Sequence, residues 1–474
     1  MNQLCPTALL AGIAMLTLAL SPTLLRAAEP EQSPTTALDR YIAEPDDSFA
    51  WELVHTSETN GVTGHVLRLT SQRWRAPGEV DRQTWQHHLL MARPAEVRSK
   101  TGLLFVGGGS NRDRMPAGPS DRLVQIARST GTVTAEVRMI PNQPLVFDND
   151  GTHRYEDDLI AYTWDQYLEG GDEKWPAQLP MVKSVVRAMD AVQAFASSEQ
   201  GGRNTVERFV VAGASKRGWT TWLTAAVDDR VAAIVPIVID VLNIDRSMRH
   251  HAAAYGYWAP AVGDYVRHGI TRRLDTPRHA ELLKTVDPFV YRRRLDMPKY
   301  IVNASGDQYF LPDSAQFYIG ELPGENLLRY VPNTDHSLRD SDALQSVVGF
   351  YLAIAREQPL PQVRWRWDDS GAIYVQSTPE PQAALLWQAT NKASRDFRLQ
   401  TIGAGYRSHL LTPNDQGDYS ASVEGPDDGW TAYFVELTFA TAAGMPLKVS
   451  TPVRVVPDRL PHADQDPAEF TIGK

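Results

Sequence analysis

Phe209-Val210-Val211-Ala212-Gly213-Ala214-Ser215-Lys216-Arg217-Gly218 runs from a short apolar stretch, through small residues, into a segment with helical spacing over 216–227. A buried strand followed at once by a helix requires a sharp reversal, and Gly213 allows it without a Cβ clash. A serine at that junction is lifted clear of the sheet, beside helix N-terminal amides that favour developing negative charge. This is the setting of a nucleophile on a strand-to-helix elbow. The stretch departs from the usual Gly-x-Ser-x-Gly, because Arg217 holds the last position and Gly218 follows it. A large side chain there must point away from the strand. A serine that merely caps the helix reads the same way, so the assignment turns on the residues around it.

Working outward, residues 65–70 and 85–92 are β-rich and predict an antiparallel meander within 49–94. Residues 103–106 form a short apolar strand ending in Gly107-Gly108-Gly109-Ser110; 121–129 have helical spacing and 133–140 are strand-like. Over 179–195, Met181, Val185, Val186, Met189, Val192 and Phe195 share one broad helix face. Downstream come strands at 232–239, 300–304 and 327–331, and a closing helix at 343–356. The His-, Arg- and aromatic-rich segment 243–285 has no strand character and predicts a cap-like insertion above the sheet. Strands alternating with helices imply right-handed crossovers and a mostly parallel, doubly wound sheet. The expectation is an α/β-hydrolase fold over residues 41–358. After Pro359-Leu360-Pro361 the alternation stops, and Val363-Arg364-Trp365-Arg366-Trp367 has period two. Further strand-like runs at 383–389, 397–402, 419–423, 430–439 and 447–456 predict a C-terminal β-sandwich over 362–458.

An α/β-hydrolase presents its triad in the order Ser, Asp or Glu, His, each after a strand. Strand 300–304 is followed by Ser305-Gly306-Asp307, and strand 327–331 by Pro332-Asn333-Thr334-Asp335-His336. Ser215 is therefore the expected nucleophile, His336 the base that takes its proton, and Asp307 the acid that fixes the imidazole tautomer. Asp240, just after strand 232–239, is the rival acid; Asp313 and Asp335 fit the order less well. The oxyanion would be met by the backbone amide of Lys216 and by one from the glycine loop, at Gly108 or Gly109. A plain tight turn is the alternative for that loop. No Gly-Lys-Ser/Thr follows it, which excludes a phosphate-cradling reading.

The chain has 474 residues, 42% hydrophobic and 22% charged, as in globular proteins, and exceeds one typical domain. A net charge of −10 without a basic stretch excludes nucleic acid as a partner. Residues 8–20 are apolar and are followed by Ser21-Pro22 and Ala27-Ala28, which predicts a signal peptide over 1–28, although its n-region lacks Lys and Arg. Export to a bacterial periplasm or the medium follows, with no stable membrane insertion once the signal is removed. The single cysteine, Cys5, would leave with it. No disulfide, thiolate nucleophile or Cys-bound metal remains.

In these residues the chain resembles the PhoPQ-activated pathogenicity-related protein family. The resemblance spans about residues 41–457 and rests on Glu156-Asp157-Asp158-Leu159-Ile160-Ala161-Tyr162-Thr163-Trp164, Gly213-Ala214-Ser215-Lys216-Arg217-Gly218-Trp219, Asn303-Ala304-Ser305-Gly306-Asp307 and Gly429-Trp430-Thr431-Ala432-Tyr433-Phe434-Val435-Glu436. It implies an exported α/β-hydrolase-like fold with a β-rich tail, tied to bacterial envelope responses, and supplies no reaction. The Gly-x-Ser-x-x-Gly form is also similar to the nucleophile turn of glucuronoyl esterases.

His250-His251, near Arg246 and Arg249, read as a solvated cap surface, with lining of the cleft as the alternative. Glu156-Asp157-Asp158 read as a helix start, and otherwise as a grip on a substrate amine. His87, His88 and His153 lack metal spacing, and neither metal nor cofactor is expected. Trp365, Trp367, Trp387 and Trp430 read as sandwich core rather than a glycan platform. The leading reading is an exported serine hydrolase acting on an ester or peptide bond of a small-molecule or peptide substrate. A catalytically idle secreted binding or signalling protein, and a carbohydrate esterase with a glycan-binding tail, are the alternatives. Oligomeric state is not legible.

Overall fold

A computed structural model describes residues 1–2, 35–368, 371–441 and 444–473. The signal-peptide reading falls almost wholly outside them, and no helix among them is long and apolar enough to cross a membrane. The described residues from Thr36 onward cluster as one compact unit. The central sheet is built from β1 (Ala50–Thr59), β2 (Val62–Arg73), β3 (Thr84–Pro94), β4 (Thr101–Val106), β5 (Thr134–Val137), β6 (Arg208–Ala214), β7 (Val231–Ile237), β8 (Lys299–Ala304) and β9 (Asn326–Val331). Their spatial order is β1-β2-β3-β5-β4-β6-β7-β8-β9. β1, β2, β3 and β5 pair antiparallel, and every pairing from β5 through β9 is parallel. The interchange of β4 and β5, with the serine elbow at the end of β6, makes this an α/β-hydrolase fold.

The parallel strands read as continuous apolar runs because both faces are covered. Leu104, Val211, Ile234 and Ile301 join one core with helices Gln178–Ser197 and Lys216–Ala225. Their neighbours Leu103, Val210, Val235 and Val302 join a second core with helix Ala343–Ala355 and the C-terminal strands. Period-two alternation thus divides each strand between two cores.

The C-terminal region contains β10 (Gln362–Trp367), β11 (Ile373–Thr378), β12 (Ala383–Asn391), β13 (Arg407–Leu410), β14 (Tyr419–Ala421), β15 (Trp430–Phe439), β16 (Leu447–Ser450) and β17 (Arg454–Val456). They form one sheet in the order β10-β11-β14 and a second in the order β13-β12-β15-β16, with β17 also on β15. This region docks onto the β9 edge: the Tyr330 amide donates to Ser450 Oγ at 2.9 Å, and Tyr300 Oη to Lys448 O at 2.7 Å.

Helix Ala37–Ala43 precedes the sheet, and one local expectation further on is corrected. Thr36 Oγ1 accepts from the Asp39 amide at 3.2 Å while Asp39 Oδ2 accepts from the Thr36 amide at 2.7 Å, a capping box hidden in a polar stretch. The strand expected at 397–402 is instead a helical turn, Leu399–Ile402. Its first amide donates to Gly306 O at 2.9 Å, so docking against the loop before Asp307 outweighs a weak strand pattern.

Candidate functional site

The strand-to-helix turn is strained where it should be. Ser215 has φ 56° and ψ −127°, a region that costs a non-glycine residue about 1–3 kcal/mol and must be held by its surroundings. They do hold it: the Ser215 amide donates to Ile237 O at 2.8 Å, and Ser215 O accepts from the Trp219 amide at 2.9 Å. A Cβ on Gly213 would lie 2.5 Å from Arg217 O, and one on Gly218 2.8 Å from Gly213 O. Strand and helix touch at this pair, so Gly218 supplies the second small residue one position later than in the usual motif. The half-buried Ser215 side chain faces a cavity, and Lys216 opens the helix, where amides have no intrahelical acceptor.

His336 lies in the loop after β9, and its Nδ1 is 2.8 Å from Asp307 Oδ2. Asp307 Oδ1 accepts from the Tyr309 amide at 2.8 Å, which fixes the carboxylate plane. The Tyr309 ring packs against the imidazole with centroids 4.5 Å apart. His336 Nε2 is buried without a hydrogen-bond partner among the described residues, so no bond joins it to Ser215 in this structure. The C-terminal region steadies this loop: Asn333 Nδ2 donates to Tyr406 O at 3.0 Å and Asn333 Oδ1 accepts from the Tyr406 amide at 2.9 Å. No sequence pattern announced that pairing.

The other carboxylates are engaged elsewhere. Asp313 accepts from Arg395 Nη2 at 2.5 Å and lies 3.0 Å from His250 Nε2. Asp335 caps its own loop through the Ser337 amide at 2.9 Å. Asp240 accepts from Tyr318 Oη at 2.6 Å and Tyr330 Oη at 2.5 Å. Complete burial pushes its carboxyl from an ordinary 3.8 up to about 7, against the pull of both tyrosine bonds. Between those values the folded chain keeps a proton that the unfolded chain releases. The stability from neutral Asp240 is therefore full below about pH 4 and is lost as pH rises toward 7. Asp240→Asn stays neutral throughout. Its stability relative to the parent is expected to rise by up to about 4 kcal/mol between pH 4 and pH 8. Thermal unfolding at pH 4, 6 and 8 checks this; a difference that does not change with pH would rule out ionisation of Asp240 as its source.

Arg217 explains itself through a residue 61 positions away. Its Nη1 and Nη2 donate to Glu156 at 2.8 and 2.5 Å, and its Nε donates to Ile140 O at 2.5 Å. Burial raises the Glu156 carboxyl, but the hydrogen bond and charge of Arg217, with the charge of Lys216, outweigh it and hold it at about 2. The guanidinium packs under the glycine loop, where a Cβ on Gly108 would lie 2.5 Å from Arg217 Nη2. In that loop the Gly107 amide donates to Val137 O at 2.8 Å, whereas no hydrogen bond among the described residues uses the Gly108 or Gly109 amide. Neither glycine lines the Ser215 cavity.

Glu156, Asp157 and Asp158 form the first turn of helix Glu156–Leu168, as a helix start requires, but each is also a tether. Asp157 Oδ2 accepts from Lys216 Nζ at 2.8 Å and from Tyr309 Oη at 3.3 Å, and its Oδ1 accepts from Tyr265 Oη at 3.1 Å. Asp158 Oδ1 lies 2.8 Å from His268 Nε2. Glu156 and Asp157 thus hold Arg217 and Lys216, the two basic residues that follow Ser215. The signal was present as three acids at a helix start and two bases after a serine, but nothing in the sequence paired them.

The insertion between β7 and β8 roofs the cavity. Ile244, Met248, His251, Trp258, Val262 and Tyr265 line it opposite Ser215, Trp164 and Trp219. This corrects the solvated-surface reading of His250 and His251, which are both buried. His251 Nε2 accepts from the Ala259 amide at 3.0 Å and its ring stacks on Trp258. Burial, reinforced by the charge of Arg398, drives its basicity down to about 3. Residues 457–473 fold back over the insertion, with the Trp258 amide donating to Thr471 O at 3.0 Å. In the tail Trp430 is buried, while Trp365, Trp367 and Trp387 are half-buried.

The chain is similar to several known proteins. Autocrine proliferation repressor protein A of Dictyostelium discoideum is 40% identical over 456 residues, which cover 90% of this chain and 92% of that protein. An acetyl xylan esterase from a Paenibacillus species is 15% identical and superposes with a TM-score of 0.44 over 69% of this chain and 97% of its own. Acetyl xylan esterase 1 from a Thermoanaerobacterium species, also 15% identical, gives 0.45 over 68% and 95%. Residues 38–398 match the family described as PhoPQ-activated pathogenicity-related protein, a span that takes in the acidic tethers, the elbow, Asp307 and His336. The chain belongs to the PhoPQ-activated pathogenicity-related protein family.

Proposed function

We propose that the chain is an exported serine hydrolase of the periplasm or medium, acting on an ester or peptide bond of a small-molecule or peptide substrate. Ser215 attacks the carbonyl carbon as His336 takes its proton. The tetrahedral oxyanion is met by the Lys216 amide and by that of Gly108 or Gly109, and the leaving group departs with the proton from His336. Water, activated by the same imidazole, then hydrolyses the acyl-enzyme. Asp307 holds the imidazole so that Nε2 is the free nitrogen and stabilises the imidazolium. The carrying observation is that bond: Asp307 occupies His336 Nδ1 at 2.8 Å and leaves Nε2 buried, without a partner among the described residues, at the same C-terminal end of the parallel strands as strained Ser215. Hydrogen bonds of this kind commonly close only once substrate is bound. A fluorophosphonate probe is expected to label the parent stoichiometrically and the Ser215→Ala variant not at all, read by intact-protein mass spectrometry. Labelling that survives in Ser215→Ala, or is absent from the parent along with all ester and peptide turnover, would sink the reading.

A second reading rests on the 40% identical relative, named for autocrine repression of proliferation. On it the chain is a secreted signalling protein whose hydrolase fold binds without turnover. An unlabelled, inactive parent supports this alternative.

A further inference from the structure

The cavity beside Ser215 narrows what the proposed hydrolase can hold, and the inference rests on that reading. Trp164, Trp219 and Trp258, with Ile239, Val262 and Phe310, give it apolar walls. Charged side chains also reach it, but they are already matched. Lys216 Nζ and Asp157 Oδ2 are 2.8 Å apart, and Asp157 also accepts from Tyr265 and Tyr309. His251 is neutral, its Nε2 occupied by the Ala259 amide. A carboxylate, ammonium or polyhydroxylated group entering here would shed water and find its natural partners taken. An alkyl chain or aromatic ring would lose nothing and cover indole faces. We infer that the substrate group seated next to the scissile bond is uncharged and apolar, an alkyl or aryl moiety rather than a sugar ring. The geometry leaves the acyl or the leaving side of the bond as its source, and the test separates the two.

Ser215-dependent kcat/KM is measured in two arms. The acyl arm runs p-nitrophenyl acetate, butyrate and hexanoate, with the glutaryl ester as the charged counterpart of the pentanoyl ester. The leaving-group arm compares naphthylmethyl acetate with acetylated methyl xyloside, both esters of alkyl alcohols. In one arm or the other, the apolar member is expected to win by tenfold or more, at roughly fourfold per buried methylene, and the glutaryl ester to fall at least tenfold below the pentanoyl. Val262→Trp fills the cavity and is expected to cut that ratio at least tenfold. Met248→Ala widens it and should move the optimum to a larger group, a second readout if Val262→Trp does not fold. Acetyl and sugar esters turned over as well as apolar ones, or a preference unmoved by either variant, overturn the inference while leaving the hydrolase reading intact. Absence of any Ser215 adduct with the fluorophosphonate probe removes the hydrolase reading, and this inference with it.

Discussion

His336→Ala is expected to lower kcat/KM by about 10⁴-fold while costing the fold little. The imidazole donates to one side chain, Asp307, and packs against Tyr309, so its removal empties no core. Asp307 keeps the Tyr309 amide on its other oxygen. Loss of one such bond to a buried carboxylate costs about 1.5–3 kcal/mol, or a few degrees in melting temperature. The split between activity and stability is the informative quantity: a structural histidine would lose both together. Asp307→Asn should fall by a similar factor, because an asparagine side chain holds the imidazole in the wrong tautomer. Asp240→Asn should leave kcat close to the parent, since Asp240 is engaged by two tyrosines rather than by a histidine. Steady-state kinetics on any ester that the parent turns over, with calorimetry on the same samples, checks all three. Equal losses for Asp240→Asn and Asp307→Asn would reopen the identity of the acid.

What the sequence disclosed and what it hid divide along a physical line. The elbow was legible because strand, small residues and helix start are adjacent in the chain, and local sterics decide the turn. The order of Asp307 and His336 was legible because each follows an apolar run that can only be a buried strand. Arg217 looked like a defect in the motif for the same reason in reverse: its partner Glu156 lies far upstream and its packing surface, Gly108, farther still. Polarity misled in the insertion. His250 and His251 read as solvated, yet His250 is buried against Asp313 and His251 against Trp258, while Arg249, paired to Asp245 and Asp275, stays at the surface. A charged segment can fold inward when its charges meet counter-charges, and those are not visible in composition. The docking of Leu399 and Tyr406 around the loops of Asp307 and His336 was equally hidden, because it joins regions that the sequence grammar separates.

Asp157→Ala is expected to destabilise the fold by about 3–5 kcal/mol, the usual cost of leaving one member of a buried ion pair uncompensated. The side chains of Lys216 and Asp157 are 7% and 10% exposed, so solvent cannot replace the lost carboxylate. Glu156, 3.3 Å from Lys216 Nζ, is a poor substitute because Arg217 already binds both its oxygens. Two tyrosine hydroxyls, of Tyr265 and Tyr309, lose their acceptor in the same step. Activity should fall as well, because Lys216 carries the proposed oxyanion amide and Tyr309 supports the His336 ring. Asp157→Asn keeps an acceptor for the hydroxyls but not the charge, and should lie between Ala and parent. The decisive variant is the double change Asp157→Leu with Lys216→Met. It removes both charges and should recover part of the stability lost in Asp157→Leu alone. Chemical denaturation of the four members of that cycle measures the coupling. Strictly additive losses would mean that the pair fills space rather than fastening helix Glu156–Leu168 to the residue that follows Ser215.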